Sequence, residues 1–468
     1  MADPTIGPWL ILAAGVATIV GLIVVAKANA FLALLAAALV VSVLAPGEAA
    51  DKAARVATAF GTAAGSIGIV IALAAVVGRA MTESGAADRI VRAFLRAFGE
   101  RRGDVALMGS GYVLSIPVFF DTVFYLLVPL ARSMTRQTGR HYVRNLLAIT
   151  AGACATHTMV PPTPGPLAVA ANLGVDLGLF MLVGMAVAAP ASAVGLVVST
   201  WRDRRLGLDY RPLPGVEAEA ASPADAQLPP LWLSSVPILL PVILIGGQSI
   251  VSTAVSRGVA VPTAVAAASA LVGNPNLALL VSAVAALGLV QARRHPTRER
   301  LALMVEESLM SAGIIILITA AGGAFGAMLR AANVGSGVET LFGGGASGTG
   351  GVSVLLLAAL MSTVFKVAQG SSTVAMITTS AMFGAMLQGG ASLGFHPVYL
   401  ALAIAGGSLV GTWMNDSGFW IFAKMGNLTE AETLGSWTIL SASVGLTGLL
   451  VTCVLAWLFP MAPPPVLP

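Results

Sequence analysis

The sequence predicts an all-α polytopic membrane protein built from inverted repeats of transmembrane helices, with two re-entrant hairpins and two broken helices. Of the 468 residues, 57% are hydrophobic and only 10% are charged, whereas a soluble domain carries about 25% charged residues. The cations cluster between apolar runs, and proline-rich or glycine-rich segments interrupt several of those runs. Such a chain cannot cover a soluble surface, which excludes a cytosolic enzyme, a nucleic-acid-binding protein and a disordered scaffold.

The positions of the cations predict the topology. A helix that spans the bilayer needs about 20 apolar residues. Basic residues cluster at Arg79 to Arg102, Arg132 to Arg144, Arg202 to Arg211 and Arg293 to Arg300, and the positive-inside rule places all four clusters in the cytoplasm. The N-terminus lacks a basic segment, so Pro8 is expected to open a first spanning helix and not a signal peptide. Clear spans are expected near 8–26, 29–46, 55–78, 178–200, 231–249 and 435–459.

The first repeat is assigned to residues 1–201. Between Arg102 and Arg132 lie 29 residues whose two ends are both cytoplasmic, too few for two passes of about 20 residues each. A re-entrant hairpin at about 103–131, with its tip near Ser115, fits this length. The next span, at about 145–175, contains the segment HTMVPPTPGP. Its four prolines cannot continue a helix, so a broken helix is predicted.

The second repeat is assigned to residues 231–468, after a polar cytoplasmic linker at 202–230. It repeats the order of the first, and each half then crosses the membrane an odd number of times, which gives the halves opposite orientations, as in many secondary transporters. Asn274-Pro275-Asn276 leaves open whether 258–291 is one span or two, and two spans would break this parity. The expected elements are spans near 258–291 and 302–330, a hairpin at about 352–388 and a broken helix at about 397–426.

Two ionisable residues of the first half are candidates for proton coupling. A carboxylate at the bilayer centre costs about 2.5–3.5 kcal/mol, so Asp121 in the hairpin is expected to belong to a site. The alternative is that Asp121 caps a hairpin arm. His157 stands at the proline break, where it can relay a proton or, alternatively, only bond neighbouring backbone.

The second half contributes a candidate anion site and a second carboxylate. Small polar residues from Gln369 to Thr373 stand where a hairpin arm begins, and a helix N-terminus favours an anion. Lys366 either supplies positive charge for a carboxylate or extends to the membrane interface. Asp416 is either a second coupling carboxylate or a helix N-cap.

No cofactor, metal or catalytic chemistry is expected. The two cysteines, Cys154 and Cys453, lie in apolar runs, and the four histidines are scattered, so that no group has metal-ligand spacing. No HExxH, GxSxG or paired catalytic motif lies in any of the expected spans. An enzyme is therefore not predicted.

Four strings resemble, in order and spacing, the gluconate permease family of sugar-acid:proton symporters: IPVFFDTVFYLLVPLA, HTMVPPTPGP, VAQGSSTVA and NDSGFW. The resemblance runs from about residue 8 to 460. It implies an ion-transporter-superfamily fold with a scaffold domain and a transport domain, a homodimer, and location in the inner (plasma) membrane. It also implies uptake of gluconate or a related hydroxy-carboxylate together with a proton.

The resemblance and the arguments above give one set of candidate residues. Lys366 stands where the family commonly has an arginine, which keeps the charge and loses bidentate carboxylate binding. Proton coupling is assigned to Asp121, His157 and Asp416. The candidate substrate-binding residues are Ser115, Asp121, Thr122, His157, Thr158, Lys366, Gln369, Gly370, Ser371, Ser372, Thr373, Asn415, Asp416 and Ser417.

Charge alone gives a reason for coupling. An entering anion is opposed by about 2.3 kcal/mol per 100 mV when the inside is negative, and one proton cancels that cost. Sodium coupling in the same architecture, or a channel, are the alternatives. The sequence does not distinguish gluconate from its keto and epimeric relatives or from glycerate.

Overall fold

The computed structural model describes residues 6–99, 102–212, 228–256, 258–332, 350–388, 393–414 and 416–461. Within these residues the backbone forms helices, turns and bends, and no strand. The first half contains nine helices in its described part: α1 Ile6–Val20, α2 Ala30–Leu44, α3 Asp51–Glu83, α4 Ala86–Phe98, α5 Gly103–Leu114, α6 Phe120–Thr138, α7 Tyr142–Met159, α8 Pro164–Leu173 and α9 Leu177–Leu206.

The described part of the second half contains ten helices, the last two joined by a π-helical turn at Leu434–Thr438. They are α10 Leu231–Ser256, α11 Thr263–Val272, α12 Pro275–Arg294, α13 Arg298–Ala331, α14 Gly350–Gln369, α15 Ser372–Gln388, α16 Pro397–Gly407, α17 Ser417–Met425, α18 Glu430–Thr433 and α19 Ile439–Leu458.

Seven helical segments in the described residues are long and apolar enough to cross a membrane: α3, α9, α10, α12, α13, α14 and the continuous run Glu430–Leu458. The predicted class, an all-α polytopic membrane protein, is therefore confirmed. In each half, long helices precede a helix–turn–helix, which is followed by an interrupted helix and a final long helix. The opposite orientation of the halves, the re-entrant course of the hairpins and the homodimer stay predictions.

The segment 258–291, for which the sequence left one span or two open, forms two helices. Gly273 and Asn274 separate α11 from α12, and the Asn274 side chain caps α12 by accepting the N–H of Asn276 at 3.0 Å. Pro275 at the first helical position suits a helix start because its missing N–H would have no partner there. Ten residues of α11 span about 15 Å, half of the hydrocarbon thickness, so α12 is the membrane-length helix of this pair.

The basic segment after α3 contains a short helix. Gly85 adopts a φ of +79°, which reverses the chain after α3, and the short helix α4 follows. Ala87, Ile90 and Val91 of α4 are buried. Arg89, Arg92 and Arg96 of this segment therefore lie on an amphipathic helix whose apolar face packs on the bundle.

Glycines bring the first hairpin arm against the interrupted helix in both halves. A Cβ atom at Gly152 of α7 would lie 2.0 Å from the carbonyl oxygen of Met108 in α5. In the second half, a Cβ atom at Gly407 of α16 would lie 2.2 Å from the carbonyl oxygen of Ala359 in α14. Small residues allow such backbone contact inside membranes, where close packing replaces the hydrophobic effect.

The interrupted helix of the first half also packs on the hairpin of the second. Asn172 of α8 donates its Nδ2–H to Ser380 Oγ of α15 at 2.9 Å. A Cβ atom at Gly165, near the start of α8, would lie 3.6 Å from Thr373 Cα. The beginning of α8 therefore lies beside the beginning of α15, and this places the interruptions of the two halves side by side.

A buried arginine of the basic cluster Arg132 to Arg144 joins three segments. Arg132 of α6 is 1% exposed; it donates to Tyr142 Oη at 2.6 Å, to Met425 O at 3.1 Å and to Arg211 O at 2.7 Å. Arg211 in turn binds both carboxylate oxygens of Glu432, at 2.7 and 2.8 Å. This group, the Arg132 clamp, fixes the start of the linker to both halves of the chain.

We expect Gly152→Ala to destabilise the protein, because the added methyl group meets backbone, which cannot move aside as a side chain can. The loss should be about 1–3 kcal/mol, measured as a lower thermal unfolding midpoint in detergent. Gly288→Ala is the matched control, since the α12 position has nothing within 4 Å of an added Cβ and alanine favours a helix by about 1 kcal/mol. Equal midpoints for the two variants would contradict the packing argument.

Candidate functional site

A cavity of about 560 Å³ lies where the helix interruptions meet. Its volume is within the range of about 300–1,000 Å³ that small-molecule sites occupy. The walls come from the starts of α6, α15 and α17, the end of α7, one face of α13, the side chain of Lys366 from α14, and the last long helix with its π-helical turn. Both halves of the chain therefore contribute to one cavity.

Eleven of the fourteen candidate residues line this cavity: Asp121, Thr122, His157, Thr158, Lys366, Gly370, Ser371, Ser372, Thr373, Asp416 and Ser417. Ser115 does not line it; the side chain is fully buried, and its Oγ finds no hydrogen-bond partner among the described residues. The side chain of Gln369 and the whole of Asn415 lie outside the described residues.

Lys366 is a buried cation in the wall of the cavity. Its side chain is 0% exposed, so it does not extend to a membrane interface. The ammonium donates to the carbonyl oxygen of Gly370 at 2.6 Å and forms an ion pair with Oδ2 of Asp416. Because Gly370 follows the last residue of α14 and has a φ of +85°, Lys366 also satisfies a carbonyl that the chain reversal removes from the helix.

Asp416 is a helix N-cap, one of the two roles that the sequence left as alternatives, and it also forms an ion pair. Its Oδ1 accepts the backbone N–H of Phe419 at 3.1 Å, which makes Asp416 the N-cap of α17. Its Oδ2 pairs with Lys366, and the side chain remains 14% exposed on the cavity side. One carboxylate therefore caps a helix and neutralises the buried ammonium.

Asp121 is the second residue of α6 and faces the same cavity. It interacts electrostatically with the carboxylate of Asp416, which lines the same cavity. Among the described residues no cation forms an ion pair with Asp121, whereas the ammonium of Lys366 pairs with Asp416. The cavity thus holds two carboxylates and a single lysine.

His157 lies in the last turn of α7, beside the proline interruption. Its Nδ1 is buried and has no hydrogen-bond partner among the described residues. Its ring is nearly perpendicular to that of Phe119, and the two ring centroids lie 6.3 Å apart. The backbone at this point is completed by Thr163, whose Oγ1 lies 2.7 Å from His157 O and 2.9 Å from Val160 O. The imidazole is therefore not used to satisfy the broken helix and faces the cavity.

The start of α15 presents hydroxyl groups and backbone donors. Ser371 Oγ accepts the N–H of Val374 at 3.3 Å, and Ser372 Oγ donates to Ser408 O at 2.8 Å. The first N–H groups of a helix have no partner within it, and together with the helix dipole they favour an anion. This end of α15 lines the cavity next to Lys366.

Sequence reasoning missed several lining residues. Cys154 lies three positions before His157 and therefore on the same face of α7, a signal that was present. Ser311 and Ile315 belong to the long apolar helix α13, where no motif marks them. Trp437 lies in the π-helical turn and packs on Phe120, with the two ring centroids 5.3 Å apart. The missed residues with polar or titratable groups are Cys154, Ser311, Thr412, Trp437 and Ser441.

The comparison with protein families decides the class of this protein. The model of the GntP family permease matches residues 8–458. The chain belongs to the GntP family of permeases. The resemblance seen in the sequence is thereby confirmed, and the protein is a multi-pass transporter of the inner membrane and not an enzyme.

Named relatives cover nearly the whole permease. A gluconate permease of Pseudomonas aeruginosa is 31% identical over 94% of this chain and 96% of its own length. A low-affinity gluconate transporter of Escherichia coli is 30% identical over 92% of this chain and 94% of its own. The Gnt-II system L-idonate transporter of Escherichia coli is 29% identical over 95% and 98%, respectively.

Two solved transporters share the fold of the permease. YdaH of Alcanivorax borkumensis superposes with a TM-score of 0.64 over 93% of this chain and 98% of its own. MtrF of Neisseria gonorrhoeae superposes with a TM-score of 0.65 over 94% and 96%. Both are 15% identical to the permease, so they establish the architecture alone.

We expect Lys366→Met to destabilise the permease by about 3–5 kcal/mol, because it leaves the carboxylate of Asp416 without its buried partner. The double variant Lys366→Met with Asp416→Asn should recover part of that loss, since asparagine keeps the cap on α17 and removes the charge. Unfolding in denaturant at pH 8 measures both. A double variant that is as unstable as the single one would show that the pair does not govern stability here.

Proposed function

We propose that the permease takes up gluconate or a closely related sugar acid across the cytoplasmic membrane together with a proton. The observation that supports this most directly is the chemistry of the cavity: a buried ammonium beside a helix N-terminus, surrounded by hydroxyl groups and two carboxylates. This set of groups suits a ligand that joins one carboxylate to several hydroxyls.

The carboxylate end of the substrate would bind at Lys366 and the start of α15. Lys366 is the one lysine or arginine that lines the cavity in the described residues, and an ammonium acts as a point charge for carboxylate. The N–H groups of Ser372 and Thr373 lie at the first turn of α15, where an anion is favoured.

The hydroxyl groups of the substrate would bind side chains that both donate and accept hydrogen bonds. Ser and Thr hydroxyls do both, and Thr122, Thr158, Ser371 and Thr373 supply them around the cavity. Gluconate and L-idonate, the substrates in the names of relatives, are acids of this type. A site that relies on Lys366 for charge and on hydroxyls for the chain fits this class.

The proton would be taken up by a titratable group that faces the cavity. Asp121, His157 and Asp416 all do so. An anion that enters alone is opposed by about 2.3 kcal/mol per 100 mV, and one accompanying proton removes this cost. The pH gradient then drives accumulation.

Uptake of labelled gluconate into proteoliposomes tests the proposal. With the outside acidic and sodium absent, we expect accumulation that a protonophore abolishes. Lys366→Gln should weaken apparent affinity about 10- to 150-fold, the equivalent of losing a charge-assisted hydrogen bond of about 1.5–3 kcal/mol. Lys424→Gln is the matched control, because this exposed lysine of α17 lies outside the cavity. Accumulation that requires sodium and ignores the pH gradient would contradict proton coupling.

Substrate protection of Cys154 tests the position of the site. In a Cys453→Ser background, a small neutral thiol reagent should modify Cys154, and gluconate at ten times its Kd should slow the reaction about tenfold by occupying the cavity. In a Cys154→Ser background the remaining Cys453, which does not line the cavity, should react at a rate that gluconate does not change. Equal rates at Cys154 with and without gluconate would place the substrate elsewhere.

A further inference from the structure

We propose that Asp416 and the carboxylate of the substrate compete for the ammonium of Lys366, so that the proton which accompanies the substrate is the one that Asp416 takes up. This inference rests on the proposed function and assigns its coupling group. It goes beyond that function because three groups of the cavity are titratable, and the geometry distinguishes among them.

The ammonium of Lys366 already has partners within the protein. An ammonium has three N–H donors, and the structure gives one to Gly370 O and one to Asp416 Oδ2. Since Lys366 is 0% exposed, water does not replace either partner. A substrate carboxylate that binds Lys366 therefore arrives at a cation whose charge is already neutralised.

Two carboxylates on one buried ammonium are unfavourable, and Asp121 adds a third nearby. If Asp416 left Lys366 as an anion, it would become an unpaired charge in a partly buried site, which is costly. If Asp416 took up a proton as it separated from Lys366, no unpaired charge would remain. Its Oδ1 could still accept the N–H of Phe419, so the cap of α17 survives protonation.

The groups that face Asp416 from the surrounding helices are Lys366 of α14, Asp121 of α6, and Cys154 and His157 of α7. Of the two carboxylates, only Asp416 has an ion pair in the described residues that the substrate would disrupt. Asp121 and His157 make no ion pair with Lys366 in those residues, so a substrate that binds Lys366 removes no ion-pair partner from either of them. The free energy of substrate binding is therefore linked most directly to the protonation of Asp416.

Linkage is reciprocal, so the substrate and the proton raise each other's affinity by the same factor. For a single linked proton, the apparent Kd for gluconate rises about tenfold per pH unit once Asp416 is deprotonated in the empty site. Over the same pH range, binding of one gluconate takes up about one proton from the buffer.

Titration calorimetry on the purified full-length permease tests this. Gluconate is titrated at several pH values between about 5 and 9, in buffers of different ionisation enthalpy, to count the protons taken up per ligand. The wild type should take up about one proton where the apparent Kd rises with pH. Asp416→Asn should bind gluconate with a Kd that varies less than about twofold over this range and should take up no proton.

The same variant has a distinct signature in proteoliposomes. Asp416→Asn should lose accumulation driven by a pH gradient and retain exchange of external for internal gluconate, because exchange does not need the site to return empty. Asp176→Asn is the matched control: Asp176 is also an N-cap, accepting Leu179 N–H at 2.8 Å at the start of α9, and it lies outside the cavity. It should keep both proton uptake and accumulation.

Several results would overturn the inference or the proposed function on which it rests. Proton uptake that persists in Asp416→Asn, or that disappears in Asp121→Asn while persisting in Asp416→Asn, would assign the coupled proton to another group. A wild-type Kd that does not change with pH would show that the substrate binds the third N–H of Lys366 without displacing Asp416. A wild type that binds gluconate and accumulates it with sodium instead would refute the proposed coupling ion, and a wild type that binds no sugar acid would refute the proposed function itself.

Discussion

Interrupted helices in the centre of a membrane protein leave backbone N–H and C=O groups that water and lipid cannot satisfy, so protein groups have to bind them. In this permease polar side chains meet that demand at three of the four interruptions. Thr163 contacts two carbonyls freed by the prolines, Lys366 binds Gly370 O, and Asp416 caps α17. Trp413 donates its Nε1–H to Val367 O at 3.0 Å. The rest of the architecture depends on these bonds, because without them the four breaks could not be buried together.

The same requirement explains why residues that complete the broken backbone also line the cavity. Lys366 binds a freed carbonyl and pairs with Asp416 through the same ammonium, whereas Asp416 caps α17 with Oδ1 and pairs with Lys366 through Oδ2. A buried ion pair contributes little net stability, because desolvation offsets its attraction. In the proposed mechanism its value lies in holding a cation inside the bundle where the substrate carboxylate can replace Asp416 as its partner. Sites built from discontinuous helices combine these tasks in transporters generally.

Much of the fold could be read from the sequence because prolines and cations act locally. Pro161 and Pro162 end α7 wherever the helix is placed, and arginines mark the ends of spans. The role of Lys366 was not local: snorkelling and burial are both compatible with its neighbours, and only the position of Asp416, 50 residues away, decides between them. Ser311 on α13 was missed for the same reason, since nothing within its helix reports which face meets the cavity. Asn274-Pro275-Asn276 indicated a possible turn, but the sequence did not show whether this turn would interrupt the long apolar run around it.

The Arg132 clamp has a mechanical consequence. One buried guanidinium binds Tyr142 Oη on α7 and carbonyl oxygens at the end of α17 and the start of the linker, so these segments cannot part from α6 without leaving charged donors unpaired in a dry environment. The buried guanidinium therefore holds α6, which carries Asp121, together with α17, which Asp416 caps. A pathway to the cavity that leaves this group intact has to open along walls outside it, and the face of α13 that carries Ser311 is one of them.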